Sequence, residues 1–204
     1  SHTIAKLHLH PTTYYFKIYP YTNSSSNINY KTSPAALTAT CLTTAGGGGG
    51  AGCASDLIIS EYVEGSSNNK YIEIYNGTGA AVNLSDYRLR LYPNGSPTPI
   101  TDYQLNGTLT DGAVKVYSNL LATIYTTDTT TTTATYFNGN DALALYKIST
   151  ASFVDIMGRI GEDPGTAWIS GTMSMLNMTL VRNSTVFGGV TVNPSADFPT
   201  LGTE

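Results

Sequence analysis

The chain has 204 residues, enough for one sizeable domain with an appendage and for a core that needs neither a cofactor nor a structural metal. A formal charge of −4, with only 10 Lys and Arg and no basic run, excludes a phosphate backbone or an anionic membrane as the natural partner. Charged residues are 12% of the total, half the usual share. Thr, Ser, Asn, Gly and 15 Tyr take their place, which is the neutral, hydroxyl-rich surface expected of a secreted, extracellular or cell-surface protein.

The first predicted elements are strands without a core. Residues 13–20, Thr-Tyr-Tyr-Phe-Lys-Ile-Tyr-Pro, are β-branched and aromatic. Asn23-Ser-Ser-Ser-Asn27 supplies a turn before Ile28-Asn29-Tyr30, and a further extended run covers residues 36–44. Two or three strands bury too little apolar surface to offset the ordering entropy of their backbone, so they need another sheet edge. The segment Tyr14, Tyr15, Phe16, Lys17, Ile18 and Tyr19 is the expected subunit-pairing strand. Residues 1–44 therefore read as a strand arm, 45–53 as a Gly-rich flexible linker and 54–204 as a complete β-rich module.

Cys41 and Cys53 bracket the glycine run and are the only cysteines. In an oxidising compartment they would form a disulfide that stabilises by roughly 3 kcal/mol in the chain-entropy model. The alternative is two unpaired small apolar residues.

From residue 56 onward, short strand signals recur with turn chemistry between them, the pattern of a sandwich. Strands are predicted at 57–63, 70–75, 87–92, 113–117, 142–147, 153–156 and 178–182, with turns at 65–69, Asn76-Gly77, Pro93-Asn-Gly95, Asn106-Gly107, Asp111-Gly112 and Asn138-Gly139. Helical periodicity is nearly absent, residues 119–124 being good for one turn at most. The threonine-rich stretch 126–135 reads as an extended, chemically inert loop. No apolar run approaches the roughly 20 residues of a spanning helix, so membrane insertion is not expected. Asn-X-Ser/Thr sequons, among them Asn23, Asn76, Asn83, Asn106, Asn177 and Asn183, mark surface turns, most of them explained by composition alone.

Asp56-Leu-Ile-Ile-Ser-Glu-Tyr-Val-Glu-Gly-Ser-Ser-Asn-Asn-Lys-Tyr-Ile-Glu-Ile-Tyr-Asn76 followed by Val82-Asn-Leu-Ser-Asp-Tyr87 resembles the opening of bacterial lamin-tail domains. Asn138-Gly-Asn-Asp-Ala-Leu-Ala-Leu-Tyr-Lys147, Val154-Asp-Ile-Met-Gly-Arg-Ile-Gly161 and Thr179-Leu-Val-Arg182 resemble the later strands of that family. The resemblance implies an all-β, immunoglobulin-like β-sandwich without catalysis of its own, secreted or at the surface. Pro11-Thr-Thr-Tyr-Tyr-Phe-Lys-Ile-Tyr-Pro-Tyr21 with Asn29-Tyr-Lys-Thr32 resembles the final strands of a fibronectin type III domain whose earlier strands are missing.

All three histidines, His2, His8 and His10, precede the module, so it has no Ser/His/Asp or Cys/His nucleophilic site and no His-ligated metal. His8 and His10 share a strand face, but surface or pairing residues are the better reading. Glu61, Glu64 and Glu73 cluster in the first hairpin. A carboxylate pair such as Glu61 with Glu73 has the chemistry of a glycosidase acid and base, or of Ca²⁺ ligands with Asp141 and Asn140 as further donors. The resemblance implies instead that Glu61 and Glu73 are structural, bonding turn amides or Arg. No cofactor is expected beyond that Ca²⁺ option. Trp168, beside a Pro-Gly turn, reads as a plug in the core more than as a sugar platform. The expected function is a non-catalytic secreted structural subunit whose arm adds a strand to a neighbouring copy, giving a homopolymer or filament. The alternative is an adhesion or accessory module, meeting a cell-surface glycan or protein, from a larger secreted enzyme or adhesin.

Overall fold

The computed structural model describes residues 54–126, 128–183 and 186–194, together with the pairs Tyr21–Thr22 and Asn29–Tyr30. The chain divides into two units, Ser1–Ser33 and Pro34–Glu204. In the first, β1 (Tyr21–Thr22) runs antiparallel to β2 (Asn29–Tyr30), with Tyr21 opposite Tyr30 and Thr22 opposite Asn29. The pairing strand Tyr14 to Tyr19, the run 36–44, the glycine linker and both Cys41 and Cys53 lie outside the described residues.

The second unit continues with β3 (Ile58–Glu64), β4 (Lys70–Tyr75), β5 (Val82–Asn83), β6 (Tyr87–Tyr92), β7 (Thr101–Gln104), β8 (Thr108–Leu109) and β9 (Val114–Ser118). After these come β10 (Thr129–Thr131), β11 (Ala142–Lys147), β12 (Ser152–Met157), β13 (Ile169–Ser170), β14 (Met173–Ser174) and β15 (Thr179–Val181). One sheet has the order β10-β9-β4-β3-β15 and the other β12-β11-β6-β7, while β5-β8 and β13-β14 form small pairs. All pairings are antiparallel except β10 against β9. This is the expected immunoglobulin-like β-sandwich.

The period of two along each strand builds the core. Ile72 and Ile74 of β4, Tyr62 of β3, Tyr117 of β9 and Leu180 of β15 turn inward from one sheet. They meet Leu89 and Leu91 of β6, Leu143 and Leu145 of β11 and Met157 of β12 from the other. Each buried Leu or Ile contributes about 1.5–3 kcal/mol relative to exposure. In β11 the outward Ala142 and Ala144 are buried too, because they join Tyr92 and Ile156 in a second small cluster under Ile160 and Val190.

At each side of the sandwich a segment packs onto the core between the edge strands. On one side the threonine-rich stretch departs from the inert loop expected of it. Thr129–Thr131 pairs in parallel with β9, and Thr133–Thr135 forms a one-turn helix capped by Thr132, whose Oγ1 accepts from Ala134 N at 3.1 Å. Ala134 and Thr135 are fully buried, and the Thr135 hydroxyl donates to Thr132 O at 2.6 Å. Threonine serves here because it is β-branched enough for an edge strand and can satisfy its own hydroxyl inside the turn. On the other side, residues 186–193 strap across: Ser55 N donates to Phe187 O at 3.2 Å, and Asn193 exchanges two hydrogen bonds with the Ile160 backbone. The segment 119–124 contains a reverse turn closed by Ala122 N on Asn119 O, not a helix.

Candidate functional site

Ser60 is the extra residue of a β-bulge: Ile59 stands opposite Ile74 and Glu61 opposite Glu73. On the turn side of the bulge the hairpin register makes Glu61 and Glu73 cross-strand neighbours, on the sheet face away from Ile72 and Ile74. The Ser60 hydroxyl donates to Glu73 Oε1 at 2.8 Å. The sequence pairing of these two carboxylates is thus found in the fold.

Asp141 does not join them. It immediately precedes β11 of the other sheet, and its Oδ1 accepts from Asn94 N at 3.0 Å and its Oδ2 from Asn138 N at 2.7 Å. Burial raises its carboxyl above the ordinary carboxylate value, against the pull of those two amides. Asn140 spends its amide nitrogen on Asn94 Oδ1 and Asp163 Oδ1. The Ca²⁺ set of Glu61, Glu73 and Asp141 is therefore corrected: its members belong to different sheets, and among the described residues no three His, Cys, Asp or Glu gather where they could hold a metal ion.

Beyond the Ser60 bond to Glu73, two other acids do structural work. Glu64, buried at the end of β3, pairs with Lys70 across the hairpin turn and accepts the Asn177 amide, while the Lys70 ammonium lies 5.9 Å from the centre of the Phe137 ring. Opposite charges flanking the turn were its only sequence signal. Asp155 is the second such acid. The bulge at Ser60 releases the Ile59 amide from the ladder, and Asp155 Oδ2 accepts it at 2.8 Å. The same oxygen takes Arg182 Nη2 at 2.8 Å, Asp155 Oδ1 takes Val190 N at 2.9 Å, and Arg182 Nε donates to Ile59 O at 2.9 Å. One buried ion pair thus joins β12, β3, the residue after β15 and the closing strap. Burial still pushes the Asp155 carboxyl up, opposed by Arg182 and the amides.

At the edge of the core, Tyr87 Oη donates to Asp56 Oδ1 at 2.5 Å and Lys147 Nζ to Asp56 Oδ2 at 2.8 Å. Such a hydrogen-bonded phenol and ammonium are held protonated, the opposite of what a nucleophile needs. Trp168 is buried, as expected, with its indole nitrogen donating to Asp141 O at 3.1 Å and the Arg159 guanidinium over its ring at 5.0 Å.

The sheet edges differ in how they are guarded. The strap runs beside β12. Asp102 of β7 holds Arg90 at 2.8 Å and Arg88 at 3.2 Å, a charged edge of the kind that resists pairing. In β15, Glu64 N donates to Met178 O and Arg182 N to Ser60 O, so Met178, Leu180 and Arg182 face β3 with their backbone groups. Thr179 and Val181 turn theirs outward, and among the described residues no strand pairs with that side.

The sequence matches the Lamin Tail Domain family over residues 52–161. Comparison with curated proteins gives no match, and neither does comparison with solved structures.

Proposed function

Because the chain belongs to the lamin tail domain family, whose immunoglobulin-like domains are non-catalytic, we propose that it is a non-catalytic structural subunit of an extracellular assembly. Copies join by strand addition: the arm strand Tyr14 to Tyr19 of one copy lies along the outer edge of β15 in the next. The repeat is head to tail and need not close, which gives a filament. The observation that carries this reading is the β15 edge, uncharged and β-branched at Thr179 and Val181, with outward backbone groups and no partner strand among the described residues. The neutral, hydroxyl-rich composition supports an extracellular setting, and the absence of His from residues 54–204 supports the lack of catalysis.

Val181→Pro tests the proposal. Its N–H points away from β3, so proline removes a donor an incoming strand needs while leaving the Arg182 N bond to Ser60 O in place. Sedimentation velocity should find concentration-dependent oligomers for the native chain and monomers for Val181→Pro. A native chain that stays monomeric at high concentration, or a proline variant that assembles normally, overturns it.

A second reading, an adhesion or accessory binding module of a larger secreted protein, is favoured by the loop between β9 and β10. Leu120, Leu121 and Ile124 are 62–69% exposed there, yet Asn69 Oδ1 holds the amides of Thr123 and Ile124 at 2.9 and 3.1 Å. A pinned loop presenting apolar tips suits recognition of a partner surface. A monomeric native chain would favour this reading over the first.

A further inference from the structure

Four Asn-Gly pairs occur in the chain, at 76–77, 94–95, 106–107 and 138–139. An asparagine before glycine is chemically fragile because the glycine amide nitrogen, unhindered by a side chain, can reach the asparagine amide carbon. Asparagine is among the thermolabile residues for this reason. Whether it reacts in a folded protein depends on whether the side chain and the following backbone can reach the attack geometry.

Three of the four are held out of it. Asn76 is fully buried; its nitrogen donates to Ala80 O and Leu109 O, both at 2.8 Å, and its oxygen accepts from Thr78 N and Oγ1 at 3.1 and 2.8 Å. Asn94 Oδ1 accepts from Asn140, the Asn94 amide is tied to Asp141, and Gly95 is packed on the backbone of Glu162 and Asp163. Asn138 N is bonded to Asp141, and Gly139 is wedged so tightly that an added Cβ would sit 2.6 Å from the Cβ of Leu176.

Asn106 has none of these restraints. It, Gly107 and Thr108 are exposed, and no atom approaches within 4 Å of where a Gly107 Cβ would stand. Gly107 has φ +87°, and its carbonyl accepts Leu84 N at 2.9 Å, but among the described residues its own N–H and the Asn106 side chain make no hydrogen bond.

We propose that Asn106 is a built-in site of spontaneous deamidation, requiring only water. The Gly107 nitrogen bonds to Asn106 Cγ, the Cγ–Nδ2 bond breaks, ammonia leaves with the displaced proton, and a five-membered succinimide remains. Water then opens either ring carbonyl. One opening gives aspartate; the other gives isoaspartate, whose main chain runs through the former side-chain carbon and gains a methylene. Either product places a new negative charge beside the β5-β8 pair, where Asn83 faces Thr108. The longer backbone of isoaspartate also disturbs the Leu84 bond to Gly107 O.

The test is incubation of the folded native chain at mildly alkaline pH, followed by peptide mapping by mass spectrometry that separates aspartate from isoaspartate. Conversion at Asn106 should outpace that at Asn76, Asn94 and Asn138 by about tenfold or more, since each of those must first break several hydrogen bonds or contacts. In denaturing urea the four rates should draw together. Equal rates at the four positions in the folded chain, or a folded-state rate at Asn106 far below its rate in urea, would overturn the proposal.

Discussion

Asp155 is fully buried, yet its carboxylate serves two backbone amides and a guanidinium from three different segments. Replacing Arg182 by Met leaves a buried charge without its counter-ion and should cost about 3–5 kcal/mol in urea unfolding. In many buried ion pairs, replacing both partners by apolar residues recovers that loss. Here it should not: Asp155→Leu with Arg182→Met still strands the Ile59 and Val190 amides, each at about 1–3 kcal/mol. A double variant as stable as the native chain would mean that those amides find other partners, and that the carboxylate is not the joint that holds the two sheets together. Neither residue stands out in the sequence. Asp155 interrupts an apolar run and Arg182 follows one, and nothing in their spacing says that they meet.

At the level of elements, seven strands were legible because each alternates cleanly or is bounded by Gly, Asn or Pro, as in Lys70–Tyr75 and Tyr87–Tyr92, whereas β7 at Thr101–Gln104 was missed. What could not be read was set by long-range partners. The two-residue strands exist only through their mates, β10 pairs in parallel with a strand that precedes it, and the bulge at Ser60 depends on what Asp155 needs from Ile59. Of the candidate site, the opposition of Glu61 and Glu73 was foreseeable from the hairpin register, whereas the removal of Asp141 to another sheet was not. The closing strap was equally hidden, having no strand pattern of its own. It lies so close to β12 that a Cβ at Gly189 would stand 2.5 Å from Asp155 Cγ and also strike the Val154 carbonyl. Gly189→Ala should therefore lift the strap and cost about 1–3 kcal/mol. Native-state hydrogen exchange should speed up along β12 and leave β4, at the centre of the other sheet, protected; unchanged exchange in β12 would show that the strap does not guard that edge.

For the molecule as a whole, the tyrosine-rich composition carries a consequence for alkaline stability. Burial lifts the Tyr62 phenol well above its ordinary value, with Glu64 and Asp141 adding to the effect, and lifts Tyr117 through burial and Tyr103. Tyr87 is pushed up to about 12, first by burial and then by its bond to Asp56. Lys147 moves the same way, because its contacts with Asp56 and Tyr87 outweigh the opposing effect of burial. In the unfolded chain a phenol ionises near pH 10, whereas in the folded chain these three stay neutral. Above that pH the unfolded state holds fewer protons than the folded one, so stability falls as pH rises. These groups give their full contribution below about pH 10 and lose it as pH rises from there, Tyr87 through about pH 12 and the others higher still, at about 1.4 kcal/mol per pH unit for each phenol kept neutral. Urea unfolding across that range should thus show a steep decline in stability, and Tyr87→Phe should make the decline shallower by one phenol's share. Phenolate absorbance followed on the folded chain is the decisive control. If all the tyrosines ionise near pH 10 with the sandwich intact, the core phenols are not held neutral by burial, and the packing assigned to Tyr62, Tyr87 and Tyr117 is wrong.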